Sequence, residues 1–177
     1  MTQAPEDAIL ASWAANAAPW IALLQGSGIA SRQTTNPAII NAISRYQPDS
    51  VLDVGCGTGA TTLAVAERLG EPARCVGVDV SGPMVQAAQA RAAQSGMNVE
   101  FIHADAQTHP FEDGLRDVIF SRFGVMFFAD PVTAFSNLRH GVKIGGRLHF
   151  CCWRRPVDHT FLTRAWTARL ACHACPQ

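Results

Sequence analysis

Apolar positions along the chain change their period near residue 50, and that change divides the sequence. Upstream, Ile9, Leu10, Trp13, Ala14, Ala17, Trp20, Ile21 and Leu24 recur at helical spacing, which predicts an amphipathic helix kinked at Pro19 and ended by Gly26-Ser27-Gly28. Asn36-Pro37 is expected to start a second helix, with Ile39, Ile40 and Ile43 on one face. From Ser50 onward, short apolar runs alternate with helical patterns. SVLDV predicts a first strand, and Thr58 to Leu69 a helix closed by Gly70. RCVGVDV predicts a second strand, followed by a helix from Gly82 to Ser95 that Ser81 can cap. VEFIHAD and RDVIFSRF are the third and fourth strands, and Pro131 opens a helix through Leu138. The Gly145-Gly146 pair reads as a turn before a fifth strand, RLHFCCW, and Thr160 to Ala171 as a last helix.

Apolar strands separated by helices imply right-handed crossovers and a parallel sheet covered on both faces. The expected fold is a doubly wound, mostly parallel α/β sheet of strand order 3-2-1-4-5. The chain reads as a single domain over residues 1–177. A helical N-terminal lid spans 1–49, an α/β core 50–153, and a basic C-terminal helix and tail 154–177. In such sheets ligands bind beyond the carboxyl ends of the strands, where the winding reverses.

Charge narrows the classes of partner. The formal net charge is zero, which argues against a non-specific nucleic-acid binder, although seven of the fourteen cations lie from Arg139 onward with one acid, Asp158. No apolar run reaches the roughly 18 residues of a membrane span. The acidic opening MTQAPEDAIL has neither secretory nor transit character, so the expected compartment is the cytoplasm. The six cysteines read as small buried apolar residues in a reducing compartment. Cys172 and Cys175 have C-x-x-C spacing but no second pair to close a zinc site, so no metal is expected.

The stretch VLDVGCGTG carries Gly55, Gly57 and Gly59 into a helix N-terminus. Such a turn lets a ligand approach the backbone and offers it free N–H groups. Asp79 ends the second strand twenty positions past Gly59, where a carboxylate can accept from both ribose hydroxyls. Asp105 ends the third strand with Ala106 beside it, within reach of a base edge. Asp53 adds negative charge before the turn, which opposes a pyrophosphate and suits a cationic ligand.

VLDVGCGTG (51–59), VGVDVSGPMVQAA (76–88), FIHADAQTHPF (101–111), DVIFSRFGVMFFADP (117–131) and the glycine turn before RLHF occur in one order and spacing. On these motifs the chain resembles the class I S-adenosylmethionine-dependent methyltransferases over roughly Ser50 to Trp153. The resemblance implies S-adenosylmethionine as cofactor and a small-molecule methyl acceptor. It implies that Asp53, Gly55, Cys56, Gly57 and Gly59 carry the methionine part, Asp79 the ribose, and Val80 and Met84 the faces of the adenine. Asp105 and Ala106 would meet the base, and Ser121 and Arg122 the sulfonium end. Arg32, in SRQTTN, would pair with the methionine carboxylate. A dinucleotide-dependent oxidoreductase is the rival reading, because Gly55, Gly57 and Ala60 fit a G-x-G-x-x-A fingerprint. Against it stand Asp53, Asp105 and the lack of a Tyr-x-x-x-Lys pair: Tyr46 is the sole tyrosine and Lys143 the sole lysine.

Methyl transfer needs alignment and a dry pocket, and a hydroxyl acceptor also needs a base. His109 is the catalytic candidate, with His103 and His140 behind it and Asp130 able to orient a neighbour. Phe111, Phe123, Met126, Phe127 and Phe128 are candidates for an acceptor pocket, though clustered aromatics ordinarily join the core. Members of the family carry two further strands after the fifth, so this chain reads as shortened. Two expectations follow. The fifth strand is an open edge that invites a homodimer, against which a monodisperse monomer in sedimentation would count. An incomplete acceptor site would leave a non-catalytic S-adenosylmethionine-binding or regulatory protein.

Overall fold

A computed structural model describes residues 5–25 and 30–153. Two helices, α1 (Pro5–Gln25) and α2 (Ala30–Ser44), precede β1 (Ser50–Val54), α3 (Ala60–Leu69), β2 (Arg74–Asp79), α4 (Gly82–Ser95), β3 (Glu100–His103), β4 (Arg116–Arg122), α5 (Pro131–Gly141) and β5 (Val142–Cys151). A single 3-10 turn, Val125–Phe127, follows β4. All strand pairs are parallel and the order is β3-β2-β1-β4-β5. The sheet is therefore the one that the alternation of periods predicts.

Strand side chains alternate between faces, and the core divides accordingly. Leu52, Val54, Val76, Val78 and Ile119 pack on one face with Leu138 of α5. Val51, Cys75, Val118 and Phe120 pack on the other with Ile39 and Ile43 of α2 and Val65 of α3. The winding reverses between β1 and β4, so the carboxyl ends of β1, β2 and β4 open onto one crevice.

Two boundaries depart furthest from the sequence pattern, while β3 ends at His103, before Asp105, and α5 runs on to Gly141. Helix α2 begins at Ala30 and carries Pro37 in its interior. The bond that Pro37 cannot donate falls at an exposed stretch, around Gln33 and Thr34, where water can satisfy the freed carbonyl. Strand β5 begins at Val142, before the glycine pair. The Gly145-Gly146 pair is thus an irregularity inside the strand, where the register against β4 slips between Arg116 and Val118. The helix expected over Thr160 to Ala171, and the Cys172–Cys175 pair, lie outside the described residues.

Candidate functional site

The turn after β1 is fixed by backbone bonds to the neighbouring strand. The N–H groups of Gly55 and Cys56 both donate to Val78 O, at 2.8 and 3.1 Å. Gly57 N donates to Asp79 Oδ2 at 2.7 Å, and Ser81 N to Asp79 Oδ1 at 2.9 Å. Asp79 thereby ties the tip of β2 to the glycine turn. Burial raises its carboxyl above the ordinary range, opposed by those two N–H groups.

A cavity of about 380 Å³ opens at this point, within the size range of small-molecule sites. Gly55, Cys56, Gly57, Asp79, Val80, Met84, Asp105 and Ala106 line it on the sheet side, and Arg32 and Arg122 line it from α2 and the end of β4. Asp105 Oδ1 accepts from Gln107 N at 2.8 Å, which orders the loop after β3.

Several of the residues singled out from the sequence do not line the cavity, Phe111 among them. Asp53 is 1% exposed and sits behind the turn, accepting from Thr62 Oγ1 at 2.6 Å. Gly59 packs against Phe101 and Ala88. Ser121 is fully buried, and its Oγ accepts from Gly124 N and Val125 N at 3.1 and 3.2 Å. That clip presses Gly124 onto Gly55 so closely that a Cβ on Gly55 would lie 2.7 Å from Gly124 Cα. His109 sits edge-on to Phe111, ring centroids 4.9 Å apart, and its carbonyl accepts from Asn137 Nδ2. Nor do His103 and His140 line the cavity. Asp130 caps α5, accepting from Val132 N and Thr133 N.

Residues that the sequence reading left in a helix stripe or a strand join four of the five acceptor-pocket candidates, Phe123, Met126, Phe127 and Phe128, in the lining. Ile9, Trp13, Trp20 and Leu24 of α1 face the cavity, with Phe123, Met126, Phe127, Phe128 and Trp153. Trp13 meets Phe127 edge-on at 4.9 Å, and Phe123 stacks on Trp153 at 5.0 Å and 11°. The tryptophans Trp13 and Trp20, two turns apart on one face of α1, were the available signal.

Charge in the site is uneven. Arg122 Nε donates to Thr61 Oγ1 at 3.1 Å. Arg32 is pushed down to about 10 by burial and by the nearby charges of Arg122 and Arg91, and so stays charged at neutral pH. Its Nε is buried with no hydrogen-bond partner among the described residues. Neither guanidinium forms an ion pair among those residues, while Asp79 and Asp105 line the same cavity and the charge of Asp53 acts on Arg122 from behind the turn.

Burial pushes the Asp53 carboxyl up to about 7, against the hydrogen bond from Thr62 and the charge of Arg122. Below the ordinary value of 3.8 the group is protonated in both folded and unfolded chains and has no effect on folding. Between 3.8 and about 7 the unfolded chain releases its proton and the folded one keeps it, so stability falls as pH rises. The loss, on the order of a few kcal/mol, is complete above the folded value. Asp53→Asn still accepts from Thr62 and does not titrate. Urea unfolding from pH 4 to 8 is expected to show a shallower decline in that variant than in the parent, and equal slopes would contradict the buried carboxyl.

Similarity to known proteins agrees with this geometry. The family described as "Methyltransferase domain" matches residues 51–146. A demethylmenaquinone methyltransferase of Thermus thermophilus is 39% identical over 101 residues, 57% of this chain and 46% of that protein. The aklanonic acid methyltransferase DauC of a Streptomyces species is 31% identical over 103 residues, 58% of this chain and 47% of its own. The crystal structure of a SAM-dependent methyltransferase from Aquifex aeolicus shares the fold, with a TM-score of 0.59 at 24% identity over 65% of this chain and 64% of that one. The chain spans less than half the length of the two curated relatives.

Proposed function

Because its matched region covers more than half of the sequence, the chain belongs to the class I S-adenosylmethionine-dependent methyltransferases, and we propose that it moves a methyl group from S-adenosylmethionine to a small-molecule acceptor. The observation that carries the proposal is one cavity bounded by Gly55 and Gly57 after β1, Asp79 after β2, and Asp105 with Ala106 after β3. Membership of this family displaces the oxidoreductase reading.

The residues present fit the cofactor. Asp79 would accept from the ribose hydroxyls, Asp105 and Ala106 would meet the adenine edge, and Val80 and Met84 would cover its faces. Gly55, Cys56 and Gly57 would pass along the methionine part, and the orphaned Arg32 Nε answers a carboxylate. When bound, S-adenosylmethionine supplies a methyl group activated on a sulfonium. The chain's own part is to orient and to exclude water. Asp53 and Ser121 act from behind, bracing the turn through Thr62 and Gly124. Trp13 and Trp20 of α1 cover the crevice from the solvent side.

The named relatives act on demethylmenaquinone and aklanonic acid, which supports a small-molecule acceptor here, and a net charge of zero disfavours nucleic acid. We place the protein in the cytoplasm; no helix among the described residues is long and apolar enough to cross a membrane. A homodimer through β5 belongs to the same proposal, because that strand has no neighbour on its outer side among the described residues.

Calorimetric titration with S-adenosylmethionine and S-adenosylhomocysteine, followed by a methyl-release assay over mixed acceptors, tests the proposal. Binding with release is expected. Binding without release over a broad panel favours the non-catalytic protein, and absence of binding contradicts both.

A further inference from the structure

We infer that Asp53 makes the chain distinguish S-adenosylmethionine from S-adenosylhomocysteine by charge. As a sulfonium enters the cavity in front of it, the buried carboxyl gives up its proton to solvent. The inference rests on the cofactor reading above and adds to it the means by which the reactant is preferred to the product.

Asp53 stands where its charge reaches a ligand that cannot touch it. It is 1% exposed and does not line the cavity, whereas Val54 and Gly55, the next two residues of the chain, do. The step from Asp53 to Gly55 spans roughly 7 Å of extended backbone. Gly77 of β2 and Phe120 of β4 flank the residue in the sheet, and from α3 Thr62 Oγ1 donates to it at 2.6 Å. A charge so buried is weakly screened by solvent and salt.

The charged and titratable groups that face Asp53 come from β4, β2 and the glycine turn. Arg122, at the end of β4, lines the cavity and favours the ionised carboxyl. Adjacent residues of α3 hold the two groups, Thr62 on Asp53 and Thr61 on Arg122 Nε at 3.1 Å. Asp79, at the end of β2 and itself under the charge of His103, opposes ionisation. Cys75 of β2 and Cys56 of the turn also feel Asp53, and burial lifts both thiols above their ordinary 9.0, so neither titrates near neutral pH. Arg32 of α2 lies under the repelling charge of Arg122. With Asp53 neutral, two guanidinium groups thus oppose a further positive charge in the cavity. With Asp53 ionised, Arg122 is balanced, and burial sets that exchange at about 7.

The two ligands share the adenosine, the amino group and the carboxylate, and differ by one methyl group and one positive charge. Discrimination by charge therefore acts at sulfur. A cation that binds near an acid lowers the acid's pKa. By reciprocity its own affinity rises with pH as the acid ionises, and its binding releases a proton wherever the free protein holds one. The neutral thioether of S-adenosylhomocysteine has no such coupling. Asp79 would meet the ribose, which both ligands carry, so its titration moves the two affinities together and leaves their ratio alone.

Calorimetric titration of the full chain with each ligand, in two buffers of different protonation enthalpy, reads the affinities and the protons exchanged. From about pH 6 to about pH 8 the preference for S-adenosylmethionine is expected to rise about threefold or more. Near neutral pH, S-adenosylmethionine is expected to release more proton than S-adenosylhomocysteine. Asp53→Asn keeps an acceptor for Thr62 and is expected to lose both effects, and titrations of the ligands' own groups cancel in that comparison. Arg122→Gln removes a charge that favours the ionised carboxyl, so the rise should move to higher pH, which a merely structural change would not do. A parent ratio that is flat with pH overturns the inference, and so does an equal rise in Asp53→Asn. A parent that binds neither ligand overturns the cofactor reading instead.

Discussion

Asp79→Ala is expected to weaken S-adenosylmethionine binding at least tenfold, about 1.4 kcal/mol. Two effects add. The ribose loses an acceptor for its hydroxyls, and the glycine turn loses the carboxylate that takes Gly57 N at 2.7 Å and Ser81 N at 2.9 Å. Hydrogen bonds to a charged group contribute about 1.5–3 kcal/mol each, so a loss nearer a hundredfold is within the argument. Asp79→Asn keeps the shape and one acceptor oxygen but turns an amide donor toward a backbone N–H, and should fall between the parent and the alanine variant. Isothermal calorimetry on all three proteins reads this order. Affinity within twofold of the parent in Asp79→Ala would break the ribose assignment.

Gly59→Ala should cost the fold more than an alanine at a left-handed glycine in open space. Gly59 has φ 76°, and a Cβ there would stand 2.6 Å from Phe101 Cζ and 2.9 Å from Ala88 Cβ. The ring has no retreat, since a Cβ on Gly77 would lie 2.7 Å from Phe101 Cδ1. Left-handed strain of roughly 1–2 kcal/mol and overpacking of roughly 1–3 kcal/mol sum to roughly 2–5 kcal/mol. That is a large share of the 5–15 kcal/mol typical of a folded domain. Gly96→Ala is the control: its φ is 66°, but nothing lies within 4 Å of the added carbon, so the strain acts alone. Urea unfolding of both variants separates the terms. Equal destabilisation would mean that Phe101 moves aside.

The strands and their order were legible because the period of apolar positions changes at Ser50 and because each turn signal sits between two periodic runs. Asp79, Asp105 and the glycine turn were legible too, since strand ends bound the places where a carboxylate can meet a ligand. Asp53 was not. In a strand buried on both faces, alternation does not distinguish the crevice from the core. The sequence therefore placed a charge beside the ligand where the structure holds a carboxyl pushed up to about 7 under Thr62. Gly59 and Ser121 were displaced for a related reason. Motif spacing identifies a loop, while which loop atoms face outward depends on Phe101 and Gly124, many residues away in sequence.

The aromatic side of the cavity was the least legible part. The stripe of Trp13 and Trp20 predicts a helix and says nothing of its docking partner, which is set by tertiary contacts such as that with Phe127. Phe123 reads as the end of a strand, and only the backbone shows it turned into a left-handed conformation against Trp153. The glycine pair in β5 reads as a turn because nothing local distinguishes a turn from a register slip within a strand.

The central claim is that one ligand lies across the tips of β1, β2 and β3, and the crystal structure of the chain with S-adenosylhomocysteine tests it most directly. The account predicts ribose hydroxyls within hydrogen-bond distance of the Asp79 carboxylate, the adenine between Met84 and Ala106, and the amino-acid end beside Gly55 and Arg32. A complex with the ligand seated away from Asp79 and the glycine turn would contradict it.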